Sequence, residues 1–289
     1  MSAKLHPGIA LGEVELRVSD LQRSIQFYKD IIGLQVLQQD ADSVRLTADG
    51  RKTLVVLQAV PNATVTPPRS FSGLYHFAIL LPDRKHLAVT ARHLMERGVA
   101  IGQADHAVSE ALYLSDPDHN GIEIYRDRPR SEWKYDDQGG LKMGTDPIHW
   151  ESLLEEANGQ QWEGLPSGTT IGHVHLHVGD MAEARRYFCD AVGFSVEADM
   201  MRSMGALFVA AGGYHHHLGL NIWAGVHAPP VPDHATGISS FTILFPDDAA
   251  LKETVERLQR MDVHVEPFGD GDGWMASSPW RIAIKLSVQ

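Results

Sequence analysis

Residues 12–20, GEVELRVSD, return at 172–180 as GHVHLHVGD, gap-free and at an offset of 160. A repeat of this kind constrains architecture more than composition does, because each copy must be a supersecondary unit that buries its apolar face against another. Each copy continues into an amphipathic run closed by glycine, LQRSIQFYKDIIG ending at Gly33 and MAEARRYFCDAVG ending at Gly193. A second pair, GLYHFAILLPD from Gly73 and GISSFTILFPD from Gly237, aligns at an offset of 164 and superposes Pro82 on Pro246. Four segments thus share one grammar of strand, helix and strand meander.

Module 1 spans about 9–60. Asp20 is its expected helix cap, Leu21, Ile25, Tyr28 and Ile32 form the apolar stripe, and QVLQQD, SVRLTA and KTLVVLQ alternate as strands do. Module 3 (about 171–224) repeats this with Asp180, Met181, Phe188 and Val192, followed by FSVEAD, GALFVAA and HLGLNIW. Module 2 (about 73–128) has a helix near 84–97 and closes with ALYLSDPDHNGIEIY. Module 4 (about 237–289) has Leu251, Val255, Leu258 and Met261 on one helix face and closes with WMASSPWRIAIKL. The domain reading is an N-terminal half, 1–130, and a C-terminal half, 171–289. Between them lies a linker, 131–170, rich in Asp, Glu, Gly and Trp, with one short helix (HWESLLEEA) packed across the surface.

A chain of 289 residues suits two cores. Its 37 acidic against 25 basic residues argue against nucleic acid or an anionic membrane as partner. No apolar run approaches the roughly 18 residues that span a bilayer. The N-terminus lacks the layout of a secretory signal, and the single cysteine, Cys189, excludes an internal disulfide. A cytoplasmic location is the expectation, with a homo-oligomer left open.

Four βαβββ modules with this punctuation resemble the vicinal oxygen chelate superfamily. The resemblance implies an α+β fold in which module pairs build two open β-barrels, one of them around a metal. The strings GLYHFAILLPDRK, ALYLSDPDHNGIEIY and GGYHHHLGLNIWAG more specifically resemble the bacillus-type catechol 2,3-dioxygenases. In the superfamily, ligands come from the first and last strands of modules. Those first-strand positions hold Glu13, His76, His173 and Ser240; the last-strand positions of modules 2 and 4 hold Glu123 and Ala283. Pairing modules 2 and 3 would unite His76, Glu123 and His173, the two-His, one-carboxylate set of oxygen-activating iron enzymes. Pairing 1 with 2 would give Glu13, His76 and Glu123 instead, and pairing 3 with 4 only His173. Ligand completeness favours modules 2 and 3, leaving 1 and 4 as a metal-free barrel. His175 and His177 share the strand face of His173 and are read as lining or solvent-facing residues.

The resemblance also implies roles. His216 matches a non-ligand acid–base histidine, although its neighbours His215 and His217 compete for that assignment. Tyr113, ten residues before Glu123, would hold a substrate oxygen, and His106 is a weaker candidate nearby. The implied reaction is extradiol cleavage of a small aromatic diol by O2, yielding a 2-hydroxymuconic semialdehyde. Its cofactor would be Fe(II), with Mn(II) accepted by the same donors. Two alternatives stand beside it: a glyoxalase-like metal-dependent isomerase or lyase, and a non-catalytic small-molecule binding protein on the same fold.

Overall fold

The computed structural model describes residues 4–137, 139–269, 271 and 273–289. Module 1 comprises β1 (Ala10–Val18), α1 (Leu21–Phe27), β2 (Gln35–Gln39), β3 (Ser43–Thr47) and β4 (Thr53–Ala59). Module 2 comprises β5 (Gly73–Leu81), α2 (Arg84–Glu96), β6 (Gly102–Asp105), β7 (Ser109–Ser115) and β8 (Gly121–Asp127), and the linker carries α3 (Trp150–Glu155). In module 3, β9 (Thr170–His177) and α4 (Met181–Arg185) precede β10 (Ser195–Met200), a one-turn α5 (Met201–Met204), β11 (Ala206–Ala210) and β12 (Leu218–Asn221). Module 4 runs through β13 (Gly237–Phe245), α6 (Asp248–Arg260), β14 (Val265–Phe268), β15 (Gly273–Ser277) and β16 (Ala283–Val288).

Each module helix starts on an aspartate, Asp20, Asp83, Asp180 or Asp247, whose carboxylate accepts a first-turn backbone N–H. In modules 1 and 3 the helix ends in a π-turn over Tyr28–Ile32 and Arg186–Val192, a feature the apolar periodicity does not reveal. Gly33 and Gly193 then take left-handed φ values of 90° and 104°, where a Cβ would be strained.

Within every module the first and last strands lie side by side and parallel, as a helical crossover requires. Modules then join through their first strands, antiparallel: β1 with β13, and β5 with β9. The result is two eight-stranded sheets, β14-β15-β16-β13-β1-β4-β3-β2 and β10-β11-β12-β9-β5-β8-β7-β6. Modules 1 and 4 therefore form one open barrel and modules 2 and 3 the other, the expected α+β arrangement with non-sequential pairing. The sheets share an apolar core to which β1 gives Val14, Leu16 and Val18 and β13 gives Phe241, Ile243 and Phe245.

The linker is more than a surface strap. Ile148, Leu153, Ala157 and Leu165 are buried in the core, and Trp162 stacks on His93 of α2 with centroids 4.1 Å apart. A charged cluster ties α3 to module 2. Buried Glu110 on β7 accepts from Arg126 of β8 and from Arg84 of α2, and Arg84 also reaches Ser152 and Glu156. No helix is long and apolar enough to cross a membrane among the described residues.

Candidate metal centre

Directly paired residues on neighbouring strands send their side chains to the same face. Register pairs Ala78 of β5 with Glu123 of β8 and with His173 of β9, and pairs Glu123 with Tyr113 of β7. One row thus crosses four strands as Tyr113, Glu123, Ala78 and His173, with His76 two residues along β5. The small, fully buried side chain of Ala78 leaves room in the middle of that row for its longer neighbours to converge.

They do converge. His76 Nε2 and Glu123 Oε2 are 3.0 Å apart, His173 Nε2 and Glu123 Oε2 are 3.1 Å apart, and the two Nε2 atoms are 3.3 Å apart. Donors bound to one first-row divalent ion at about 2.0–2.2 Å stand about 3–3.6 Å apart, a range that includes all three separations. The three donors are close enough together to grip one divalent ion from the same side. No other group of three or more His, Cys, Asp or Glu gathers so closely among the described residues. The Nδ1 atoms of His76 and His173 have no hydrogen-bond partner there, so packing holds the rings. His173 lies between Tyr125 and His216, with centroids at 4.8 and 4.1 Å; His76 lies against His175 and Tyr113, at 5.0 and 5.6 Å.

Burial lowers the His173 imidazole to about 4, although Glu123 attracts a proton there. For Glu123 itself burial opposes ionisation, but His173 and His76 outweigh it and hold the carboxyl well below its usual range. At neutral pH His173 is a neutral imidazole and Glu123 a carboxylate, the forms that bind a cation.

Glu123, His76 and Tyr113 open into a cavity of about 640 Å³ that is also lined by His106, His175 and His216. Tyr113 is oriented by His106. The His106 Nδ1–H donates to the carbonyl of Gly144 at 2.7 Å, so its Nε2 accepts the Tyr113 hydroxyl, also at 2.7 Å. Burial, then the charge of Glu123, raises the Tyr113 phenol well above its usual range. Of the three consecutive histidines, His216 reaches the cavity. His217 is turned away, its Nδ1 accepting the Ala211 N–H, and His215 is fully buried behind.

His175 and His177 are both buried, so neither faces solvent. His175 reaches the cavity because its partner on β12 is glycine; a Cβ at Gly219 would stand 2.7 Å from the His175 ring. The His177 Nδ1 bonds to Asn221 Oδ1 at 2.6 Å, and its ring lines a second cavity of about 610 Å³. That cavity backs onto Tyr75, His76 and Tyr113 and contains Arg69, but does not reach Glu123 or His216.

Several lining residues were not singled out from the sequence. Met200, Met204, Phe208 and Trp223 form an apolar wall, and Met143, Gly144 and Thr145 of the linker close the cavity from module 2's side. The stretch MRSM between two strands and the tryptophan just past β12 were the signals available for the apolar wall. Nothing local marked 143–145.

The other barrel is built differently. Glu13 pairs with Arg45 at 3.1 Å and with Lys285 at 3.7 Å, and Lys285 also holds Glu15 at 2.8 Å. Ser240 and Ala283 face each other in register, and Ser240 donates to Glu15. An internal ammonium neutralises carboxylates here. With β1 and β5 in separate sheets, the set of Glu13, His76 and Glu123 does not assemble.

The family model described as Glyoxalase/Bleomycin resistance protein/Dioxygenase superfamily matches residues 10–124 and 170–274. The chain is 49% identical to a catechol-2,3-dioxygenase of Bacillus subtilis over 262 residues, 91% of this chain and 92% of the relative. Among solved structures, the CppA protein of Streptococcus pneumoniae superposes with a TM-score of 0.55 at 11% identity, covering 99% of both chains. Glyoxalase I of Zea mays superposes with a TM-score of 0.54 at 15% identity, over 97% of this chain and 92% of the other. At such identities these two likenesses speak for the fold alone.

Proposed function

The chain belongs to the glyoxalase/bleomycin resistance protein/dioxygenase superfamily, and we propose that it is an extradiol dioxygenase that opens a catechol ring with O2 to a 2-hydroxymuconic semialdehyde. The observation that carries this reading is the convergence of His76, Glu123 and His173 within reach of one ion, beside the cavity that also receives Tyr113 and His216. The 49% identical relative supports the same chemistry. His76, Glu123 and His173 would hold Fe(II), or Mn(II), which accepts the same donors. When bound, the metal would supply the Lewis acidity and the redox chemistry that O2-dependent ring opening needs.

The protein's own groups do the rest. The Tyr113 hydroxyl, shared between His106 and Glu123, can meet a catechol O–H or donate to a developing oxyanion. His216 lines the cavity, and burial keeps it in the neutral form that can accept a catechol proton and later return it. Met200, Met204, Phe208 and Trp223 exclude water from the ring. Among the described residues no lysine or arginine lines this cavity, which suits an uncharged catechol over a carboxylated one.

The test is O2 uptake by protein loaded with Fe(II) under anaerobic conditions and then given catechol or 4-methylcatechol. One O2 consumed per diol, with release of the coloured semialdehyde, is the expected result. An absence of uptake with either diol would refute the proposal.

A further inference from the structure

Behind His216, away from the cavity, two further residues stand in a hydrogen-bonded line. Strand alternation puts Glu123, Tyr125 and Asp127 of β8 on one face, so the strand that presents a metal-site carboxylate also presents a second one four residues on. Asp127 Oδ1 lies 2.8 Å from His215 Nε2, and its Oδ2 accepts the Tyr214 hydroxyl at 2.9 Å. Tyr214 is held in turn by the hydroxyl of Tyr125, 2.7 Å away. Both carboxylate oxygens are therefore committed, and the His215 ring they anchor has no exposure.

The proton positions follow from donor and acceptor inventory. A carboxylate only accepts, so His215 carries its proton on Nε2, and a neutral imidazole then has a bare Nδ1. That Nδ1 is 2.7 Å from Nδ1 of His216, a separation that requires a proton between them. With both rings neutral, His216 supplies it, whereas an imidazolium at His215 would reverse the direction. The His216 Nδ1 is thereby the protonated nitrogen and its Nε2 the one with a free lone pair. The opposite tautomer would face two lone pairs across 2.7 Å, or turn a lone pair of His215 toward the Asp127 carboxylate.

We propose that Asp127 and His215 are positioning residues that lock His216 in its Nδ1–H tautomer and so present a bare Nε2 to the catechol. The inference rests on the reading of His216 as the group that takes the substrate proton. It supplies a reason for the run of three histidines: one works, its neighbour sets the tautomer, and the third, His217, packs elsewhere. It also gives Asp127 a role that no motif in the sequence marks.

The experiment has two arms. In the Fe(II)-loaded enzyme, His215→Leu removes the acceptor behind His216, and Asp127→Asn lets an amide N–H invert the His215 tautomer. Each should lower kcat on the order of 10²-fold, the scale of general acid–base help, with KM and iron content within about threefold of wild type. His215→Asn places an amide oxygen near the position of Nδ1 and should recover kcat to within about tenfold of wild type, as a retained acceptor implies. In the second arm, long-range 1H–15N correlation spectra of the Zn(II)-loaded protein read the tautomer directly. Wild-type His216 is expected to be protonated on Nδ1, and in His215→Leu an Nε2–H population should appear. Wild-type His216 protonated on Nε2 would overturn the inference, as would full kcat in both His215→Leu and Asp127→Asn. If a variant fails to fold, the wild-type spectrum still decides. An enzyme that opens no catechol would defeat the functional reading and leave the tautomer result standing on its own.

Discussion

Truncating His173 should release the metal although Glu123 and His76 remain in place. Three donors would carry the site, and the His173 ring is buried between Tyr125 and His216. Four-ligand zinc sites are held by about 10–16 kcal/mol in total, so one donor's share is about 2.5–4 kcal/mol. A loss of that size weakens binding by about 10²–10³-fold. His173→Ala should therefore raise the Fe(II) dissociation constant at least 10²-fold, measured anaerobically by competition with a chromophoric chelator. Glu13→Ala is the matched control at the equivalent repeat position. Its carboxylate already pairs with Arg45 and Lys285, so its loss should leave the dissociation constant within about threefold of wild type, the scale of a surface ion pair. Retention of metal by His173→Ala, or loss of it in Glu13→Ala, would refute the assignment of modules 2 and 3 to the metal.

Tyr113→Phe removes one hydroxyl and leaves His106 Nε2 without its donor; kcat should fall about 10–10²-fold while iron content is unchanged, and a wild-type kcat would exclude Tyr113 from the chemistry. Glu110→Ala strips the buried Arg126 guanidinium of its partner and should cost about 3–5 kcal/mol in denaturant unfolding, with a loss below about 1 kcal/mol contradicting the ion cluster as a tie between module 2 and the linker. Burial lowers His217 from its unfolded value of 6.5 to about 3. Below pH 6.5 the unfolded chain therefore binds a proton that the folded chain refuses, and stability falls as pH falls toward about 3, by up to about 1.4 kcal/mol per pH unit from this group. Unfolding free energies at pH 7 and pH 5 should show that decline in wild type and a shallower one in His217→Asn, which keeps an acceptor for the Ala211 N–H.

The parts of the fold that were legible in the sequence are those that repetition writes twice. The first-strand glycines Gly12 and Gly172, the capping aspartates, and the helix-ending glycines Gly33 and Gly193 recur at fixed offsets because the modules reuse the same turn chemistry at the same place. The pairing of modules 2 and 3 followed from which repeat positions still hold donors, and the register through Ala78 agrees with it. Features set by contact between distant segments were hidden. The linker reads as a surface strap because its polar residues outnumber its apolar ones, yet residues 143–145 wall the cavity. Asp127 looks like an ordinary strand-end acid until β8 and the Tyr214–His216 loop are folded together. His175 could not be told from a solvent-facing residue, since its burial depends on glycine at 219 on a neighbouring strand.

The most direct test is crystallography of the Fe(II)-loaded protein, with diffraction recorded on either side of the iron absorption edge. The anomalous peak should lie within bonding distance of His76 Nε2, Glu123 Oε2 and His173 Nε2, inside the barrel of modules 2 and 3 and on the side of the 640 Å³ cavity. A peak beside Glu13, or one that His173 does not touch, would contradict the account.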